Sequence, residues 1–94
     1  GGMIVTGLLV GDTMTITNSV IEGNTGTIIG GISVATPVVG HTFTIDSTSQ
    51  VTDNIASGVS QAGGISHTGV GTATANGTTV SGNTDPQCFG VTGC

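Results

Sequence analysis

The sequence predicts an all-β fold in which short strands repeat as the coils of a β-solenoid. Three observations carry this prediction: Val, Ile, Thr and Ser are abundant, 18 of the 94 residues are glycine, and three landmarks recur in a fixed order. β-Branched residues favour strands, and glycines mark the places where a chain turns tightly. A period of about 30 residues without a helical pattern is typical of stacked β coils.

The first landmark is a Gly-Gly pair followed by an apolar residue, which begins at residues 1, 30 and 63. These pairs divide a single predicted domain, residues 1–94, into three blocks, 1–29, 30–62 and 63–94. Each block is predicted to form one coil.

The second landmark is an alternating strand, "TMTIT" at 13–17, "TFTID" at 42–46 and "TATAN" at 72–76. Successive side chains of a strand point to opposite faces, so the threonines are predicted to face outward and the apolar residues inward. Stacking the blocks gives four inward columns: Met3, Ile32, Ile65; Met14, Phe43, Ala73; Ile16, Ile45, Ala75; and Val20 or Ile21 with Val51 and Val80.

The third landmark is an asparagine near the close of each block, at Asn24, Asn54 and Asn83. Two interpretations are open. Stacked asparagines can join their amides in a ladder, or asparagine can be present because it tolerates the left-handed geometry of turns. Asn18 and Asn76, which follow corresponding strands, invite the same two interpretations.

The net charge of the chain limits the classes of partner that it is expected to bind. It carries five acidic residues, no Lys and no Arg, for a net charge of −5, which disfavours nucleic acid and anionic membrane surfaces. Membrane insertion is not expected either, because no apolar run approaches the ~20 residues of a membrane helix. Nothing in the sequence builds a cleft with a paired acid and base. We therefore expect no enzyme and no cofactor, and a fragment of a carbohydrate-active enzyme ranks last among the alternatives.

Cys88 and Cys94 lie close together in "CFGVTGC". Their number and spacing do not suit a zinc site, and a local disulfide is the preferred interpretation. Such a bond fits an oxidising, extracellular setting.

Several segments resemble a known group of proteins. "GGI" at 30–32 and "TITNSVIEGNT" at 15–25 are similar to the repeats of right-handed parallel β-helix proteins of bacterial surfaces, the polymorphic outer-membrane and autotransporter-passenger type with a pectate-lyase-like fold. "GNTDPQCFGVTGC" at 82–94 is similar to the Cys-containing end of such repeats. The resemblance implies a right-handed parallel β-helix at the cell surface. The basic residue and clustered acids of the catalytic relatives have no counterpart in this chain.

Three coils at ~4.8 Å per strand layer make a stack only about 14 Å tall, with unpaired strands at both ends. Two explanations fit. The chain is either a subunit that stacks head-to-tail on copies of itself as a filament or surface fibre, or a segment of a larger surface adhesin. The filament predicts one apolar stacking end at Met3, Met14 and Ile16 and the other at Ile65, Ala73, Ala75 and Val80.

The outward threonines form a second candidate site. If the blocks stack in register, two ranks of hydroxyls result, and such ranks resemble ice-binding faces. The simpler interpretation is a solvated strand face, since threonine packs well on any exposed strand. In a polymer the ranks would lengthen into a surface able to meet glycans or extracellular matrix. The ranks comprise Thr13, Thr15, Thr42, Thr44, Thr72 and Thr74.

Three further residues have side chains suited to a modification or ligand site. Asn76 begins the glycosylation sequon Asn-Gly-Thr. His41 is expected at the surface and His67 to be partly buried, and neither has a metal-ligating neighbour at a suitable spacing.

Overall fold

The computed structural model describes residues 1–36, 40–58 and 61–94, and within them the chain forms β-strands and no helix. The predicted all-β class is therefore confirmed. The strands of the described residues are β1 Met3–Val5, β2 Thr13–Ile16, β3 Val20–Glu22, β4 Thr25–Gly26, β5 Ile32–Thr36, β6 Thr42–Ile45, β7 Gln50–Thr52, β8 Ile55–Ala56, β9 Ile65–Gly69, β10 Thr72–Ala75, β11 Thr79–Ser81 and β12 Cys88–Phe89.

All strand pairs of the described residues are parallel, and strands of successive blocks pair with their counterparts. The four-stranded sheet has the order β1-β5-β9-β12, and a three-stranded sheet, the threonine sheet, has the order β2-β6-β10. A third sheet contains β3-β7-β11, and β4 pairs with β8 alone. Parallel strands need long connections, and here the remaining strands of each block supply them.

The register confirms the four predicted columns. Met3 pairs with Ile32 and Ile32 with Ile65, and the two columns of the threonine sheet pair as expected. In the third sheet Ile21, not Val20, lies opposite Val51 and Val80. Side chains of the middle block are the most deeply buried because a block covers each side: Ile32, Phe43, Ile45 and Val51 are 0% exposed.

The last block spans more than the single coil predicted for 63–94. β12 pairs with β9, and Thr92 forms a parallel bridge with Thr74. Residues 85–94, the tail, therefore begin a further level above β9 and β10. No strand of the last block matches β4 and β8 among the described residues. Thr84 occupies that place instead, and its hydroxyl accepts a hydrogen bond from the Ala56 N–H at 3.1 Å.

A residue with left-handed backbone geometry precedes the corner asparagine of each block, Asn24, Asn54 and Asn83. Gly23, Asp53 and Gly82 have φ values of 66°, 56° and 69°. Glycine adopts this conformation without a steric penalty, whereas other L-residues crowd their own backbone. This position is glycine in two of the three blocks, and Asp53 is therefore the one residue there that carries left-handed strain.

Replacing Asp53 with glycine is expected to raise the free energy of unfolding by about 0.5–1 kcal/mol. Relief of left-handed strain stabilises the folded chain by about 1–2 kcal/mol. The greater conformational entropy of glycine stabilises the unfolded chain by about 0.5–1 kcal/mol, which is less. Denaturant titration measures the difference. Gly23→Ala is the reverse control, because a Cβ there meets open space and adds only the conformational cost. A loss of stability in Asp53→Gly would contradict the assignment.

Candidate functional site

The threonine sheet brings all six predicted threonines into two straight ranks. Thr13, Thr42 and Thr72 pair across the strands as one rank. Thr15, Thr44 and Thr74 form the other, which the bridge from Thr74 to Thr92 extends by one residue. Strand geometry spaces these hydroxyls about 4.8 Å across the sheet and about 6.6 Å along it. The face is therefore a regular array of hydroxyl and methyl groups.

A third rank does not form at Thr17, Asp46 and Asn76. The Asp46 carboxylate accepts hydrogen bonds from the backbone N–H of Thr48, at 3.0 Å, and from the Thr48 hydroxyl. Its side chain is thus committed to its own turn, and the regular array ends after two ranks.

The asparagines at the block corners form the amide ladder that one interpretation predicted. Nδ2 of Asn24 donates to Oδ1 of Asn54 at 3.0 Å, and Nδ2 of Asn54 donates to Oδ1 of Asn83 at 2.9 Å. Nδ2 of Asn83 then donates to Oε1 of Gln87 at 2.9 Å. Gln87 is a rung of the ladder that the sequence did not predict. The only indication in the sequence is that an amide side chain occurs shortly after Asn83.

Backbone groups tie the ladder to the strands. The N–H groups of Asn24, Asn54 and Asn83 donate to the amide oxygen of the following rung at 3.1, 2.9 and 3.1 Å. Nδ2 of Asn54 also reaches the carbonyl of Ile21, and Nδ2 of Asn83 that of Val51. The bonds between rungs all run towards the C-terminal rung, so the ladder has a direction, whereas the bonds to Ile21 and Val51 tie it to the preceding block.

The left-handed interpretation holds at Asn18 instead. Its φ is 47°, and its N–H donates to the Thr48 hydroxyl at 2.8 Å. The two interpretations therefore apply to different asparagines.

The predicted stacking residues of the first block lie on an uncovered edge. Strands β1 to β4 each have a neighbour on one side only in the described structure. We call that side the first-block edge. Met3 and Met14 are half-buried along it, whereas Ile16 is 5% exposed.

The predicted stacking residues of the last block lie beneath the tail. Ile65, Ala73 and Ala75 are 0%, 3% and 2% exposed, because β12 pairs over β9 and Thr92 lies over β10. They are not open to a second chain in this structure, contrary to the predicted apolar end. Val80 of β11 remains half-buried, beside the part of the end that the tail leaves uncovered.

The predicted disulfide closes the tail. Cys88 and Cys94 are bonded, with their Cα atoms 6.2 Å apart. Between them Thr92 donates its N–H to the Ala73 carbonyl at 3.0 Å and accepts from the Ala75 N–H at 2.8 Å. The bond therefore fixes a segment that is also paired to the threonine sheet.

Two histidines meet inside the molecule, which sequence reasoning did not foresee. Nε2 of His41 lies 2.9 Å from Nε2 of His67, and the residues are 1% and 5% exposed. The expectation of a surface His41 is wrong. Its ring lies over Gly71, where an added Cβ would collide with it. A glycine at the position opposite His41 in the next block is thus the sequence feature that could have indicated a buried ring. At this separation one ring donates its proton and the other accepts.

Acid is expected to destabilise the protein as the pH falls below about 6.5. Burial, then the charge of His41, lower the pKa of His67 from 6.5, and a hydrogen bond at the Gly90 backbone partly opposes them. The unfolded chain consequently binds a proton more readily than the folded chain as pH falls through 6.5, so stability is complete above that pH and is lost below it. Denaturant midpoints at pH 7.5, 6.5 and 5.5 measure this loss.

His67→Val serves as the control, since valine occupies the paired position 34 of the same column. The slope of stability against pH should be shallower in this variant, whatever its stability at pH 7.5. An unchanged slope would exclude His67 as the group responsible.

The candidate glycosylation site lies in a turn after β10. Asn76 is exposed, and Gly77 has a φ of 75°. The Thr78 hydroxyl is within 2.8 and 2.9 Å of the carbonyl oxygens of Ile45 and Asp46. In the folded chain the hydroxyl of the sequon is thus directed to the backbone of the preceding block.

The described residues contain neither a grouped set of metal ligands nor a membrane-spanning helix. Within residues 1–36, 40–58 and 61–94, no three His, Cys, Asp or Glu side chains are grouped to hold a metal ion. The same residues contain no helix with the length and apolarity to cross a bilayer. Comparison of the chain with protein-family models, curated proteins and solved structures found no match.

Proposed function

We propose that this chain is a structural segment of an extracellular right-handed parallel β-helix, extended by stacking its first-block edge onto another β coil. The observation that carries the proposal is the directional amide ladder, which bonds each rung to the next in the same way. A role outside the cytosol is supported by the disulfide, which forms in oxidising compartments.

The first-block edge lacks three of the features that commonly keep an edge strand solitary. Exposed edges are usually blunted by Lys, Pro or inward-pointing charge. Strands β1 to β4 contain no Lys and no Pro, and their inward residues are apolar. Half-buried Met3 and Met14 continue two core columns to that edge. A further coil placed there would complete the burial of both methionines.

The coil that stacks on the first-block edge belongs either to a second copy of this chain or to the same chain. In the head-to-tail filament it belongs to a second copy, whose last block must then be uncovered. The tail lies over β9 and β10 but not over β11, so a second copy meets an uneven end. A segment of a larger surface protein, in which the coil belongs to the same chain, needs no such rearrangement. The stacking itself is common to both.

Duplication of the first block tests the stacking directly. A copy of residues 1–29 placed before Gly1 reproduces the natural junction Ile29-Gly-Gly, so the added coil keeps the phase of the repeat. We expect the free energy of unfolding to rise by about 2 kcal/mol, because the two edge methionines become buried and each added repeat contributes an interface.

A shuffled extension of the same composition is the matched control and should not stabilise the chain. If the true duplicate also leaves stability unchanged and is removed by limited proteolysis, the first-block edge does not accept a coil, and the proposal fails.

A second candidate function, ice binding, is favoured by the register of the two threonine ranks. Thr44 lies at the centre of one rank, between Thr15 and Thr74. Thermal hysteresis of the parent chain is the expected signature. Thr44→Leu should reduce it, whereas Thr52→Leu, a half-buried threonine of β7 in another sheet, should not. Absence of hysteresis in the parent chain would exclude this function.

A further inference from the structure

We infer that the tail is a cap that prevents two copies of this chain from stacking, because it occupies the place where the first-block edge of a second copy would pair. The inference rests on the proposed stacking of β coils and identifies the partner, a second copy, together with the contact that excludes it.

The tail covers β9 and β10 as a following block would. In the four-stranded sheet β12 lies on β9 on the side opposite β5, in the position that β1 of a second copy would take. In the threonine sheet Thr92 lies beside Thr74, where Thr15 of that copy would continue the rank. Below the tail are Ile65, Ala73 and Ala75, which it buries almost completely.

Gln87 imitates the missing partner at the corner. The backbone N–H and Nδ2 of Asn24 both donate to Oδ1 of Asn54, and the same groups of Asn54 both donate to Oδ1 of Asn83. The N–H and Nδ2 of Asn83 donate in the same manner to Oε1 of Gln87. Gln87 therefore supplies the amide oxygen that Asn24 of a second copy would supply.

Gln87 also ends the ladder. Its Nε2 turns back to the carbonyl of Asn83 at 2.7 Å and towards Asp85 Oδ1 at 3.3 Å. An asparagine in the repeat passes its amide hydrogen onward to the next rung, whereas Gln87 returns it to its own corner. The disulfide between Cys88 and Cys94 closes the rest of the tail into a loop, and the pairing of β12 and Thr92 holds that loop on the sheets.

Releasing the tail in the full chain tests the cap. The release variant carries Gln87→Ala, Cys88→Ser and Cys94→Ser, and a second version adds Thr92→Pro, which removes the N–H that donates to Ala73. Chymotrypsin cleavage after Phe89, followed by mass spectrometry, reports whether the tail is free. Sedimentation velocity then measures association. We expect the parent chain to be monomeric and the release variant to form head-to-tail oligomers.

The complementary surface supplies the decisive control. Adding Met14→Lys on the first-block edge should raise the Kd for association of the release variant about tenfold or more. Gln50→Lys, an exposed position on the central strand β7, adds the same charge away from the edge and should leave association intact.

Three results would overturn the cap: a freed tail with the chain still monomeric, association that Met14→Lys leaves unchanged, or a parent chain that associates as strongly as the release variant. Duplication of the first block separates this inference from the proposed function. If the duplicate stabilises the chain but tail release causes no association, stacking stands and only the cap is excluded.

Discussion

Asn54→Leu is expected to lower the free energy of unfolding by about 3–5 kcal/mol, because several buried polar groups lose their partners at about 1–3 kcal/mol each. The side chain is 0% exposed. Its Oδ1 accepts from the N–H and Nδ2 of Asn24, and its Nδ2 donates to Ile21 and Asn83. Leucine has a similar volume but makes none of these bonds. Chemical denaturation followed by circular dichroism measures the loss.

Asparagines outside the inner ladder are the controls. Asn76→Leu changes an exposed side chain and should alter stability by less than about 0.5 kcal/mol. Asn24→Leu should have an intermediate effect, because Asn24 is the first rung and, among the described residues, donates only to Asn54. If Asn54→Leu were as mild as Asn76→Leu, the ladder would not hold the blocks together.

Phe43→Ala is expected to cost about 3–5 kcal/mol, the usual range for a buried phenylalanine. Phe43 is the largest fully buried side chain of the described residues. It lies on the central strand of the threonine sheet, between Met14 and Ala73. The total stability of a small domain is about 5–15 kcal/mol, so a substantial unfolded fraction at 25 °C is expected. The unfolding midpoint in denaturant measures the effect.

Phe89→Ala provides a matched control on β12. Phe89 is 48% exposed, so truncation removes little buried area and should cost less than about 1 kcal/mol. Equal losses for the two phenylalanines would mean that the column through Phe43 is not the core.

The columns could be predicted from the sequence because two simple regularities fix them. Alternation within a strand assigns each side chain to a face, and the Gly-Gly pairs set the phase between blocks. Together they predict that Met14 lies on Phe43 and Phe43 on Ala73, as the register shows. The threonine ranks followed from the same two regularities, and so did their number.

The closing contacts could not be predicted in this way because they depart from the repeat. Fewer residues lie between Asn83 and Cys88 than between the corner asparagine of an earlier block and the first strand of the next block. The spacing of the repeat therefore does not indicate that Cys88 pairs with Ile65. Gln87 is a rung of a different residue type and escapes a search for repeated asparagines. The histidine pair joins residues from different positions in their blocks, and only side-chain geometry brings His41 to His67.

Exchange of the side-chain amide hydrogens, followed by nuclear magnetic resonance, tests most directly whether the blocks stack in register. Asn54 and Asn83 hold their amide groups buried between blocks, whereas Asn76 is exposed to solvent. Buried, bonded hydrogens exchange only when the structure opens. The amides of Asn54 and Asn83 are predicted to exchange at least about a hundredfold more slowly than that of Asn76, a protection that corresponds to an opening free energy of roughly 3 kcal/mol. Equal exchange rates at the three positions would contradict the stacked ladder.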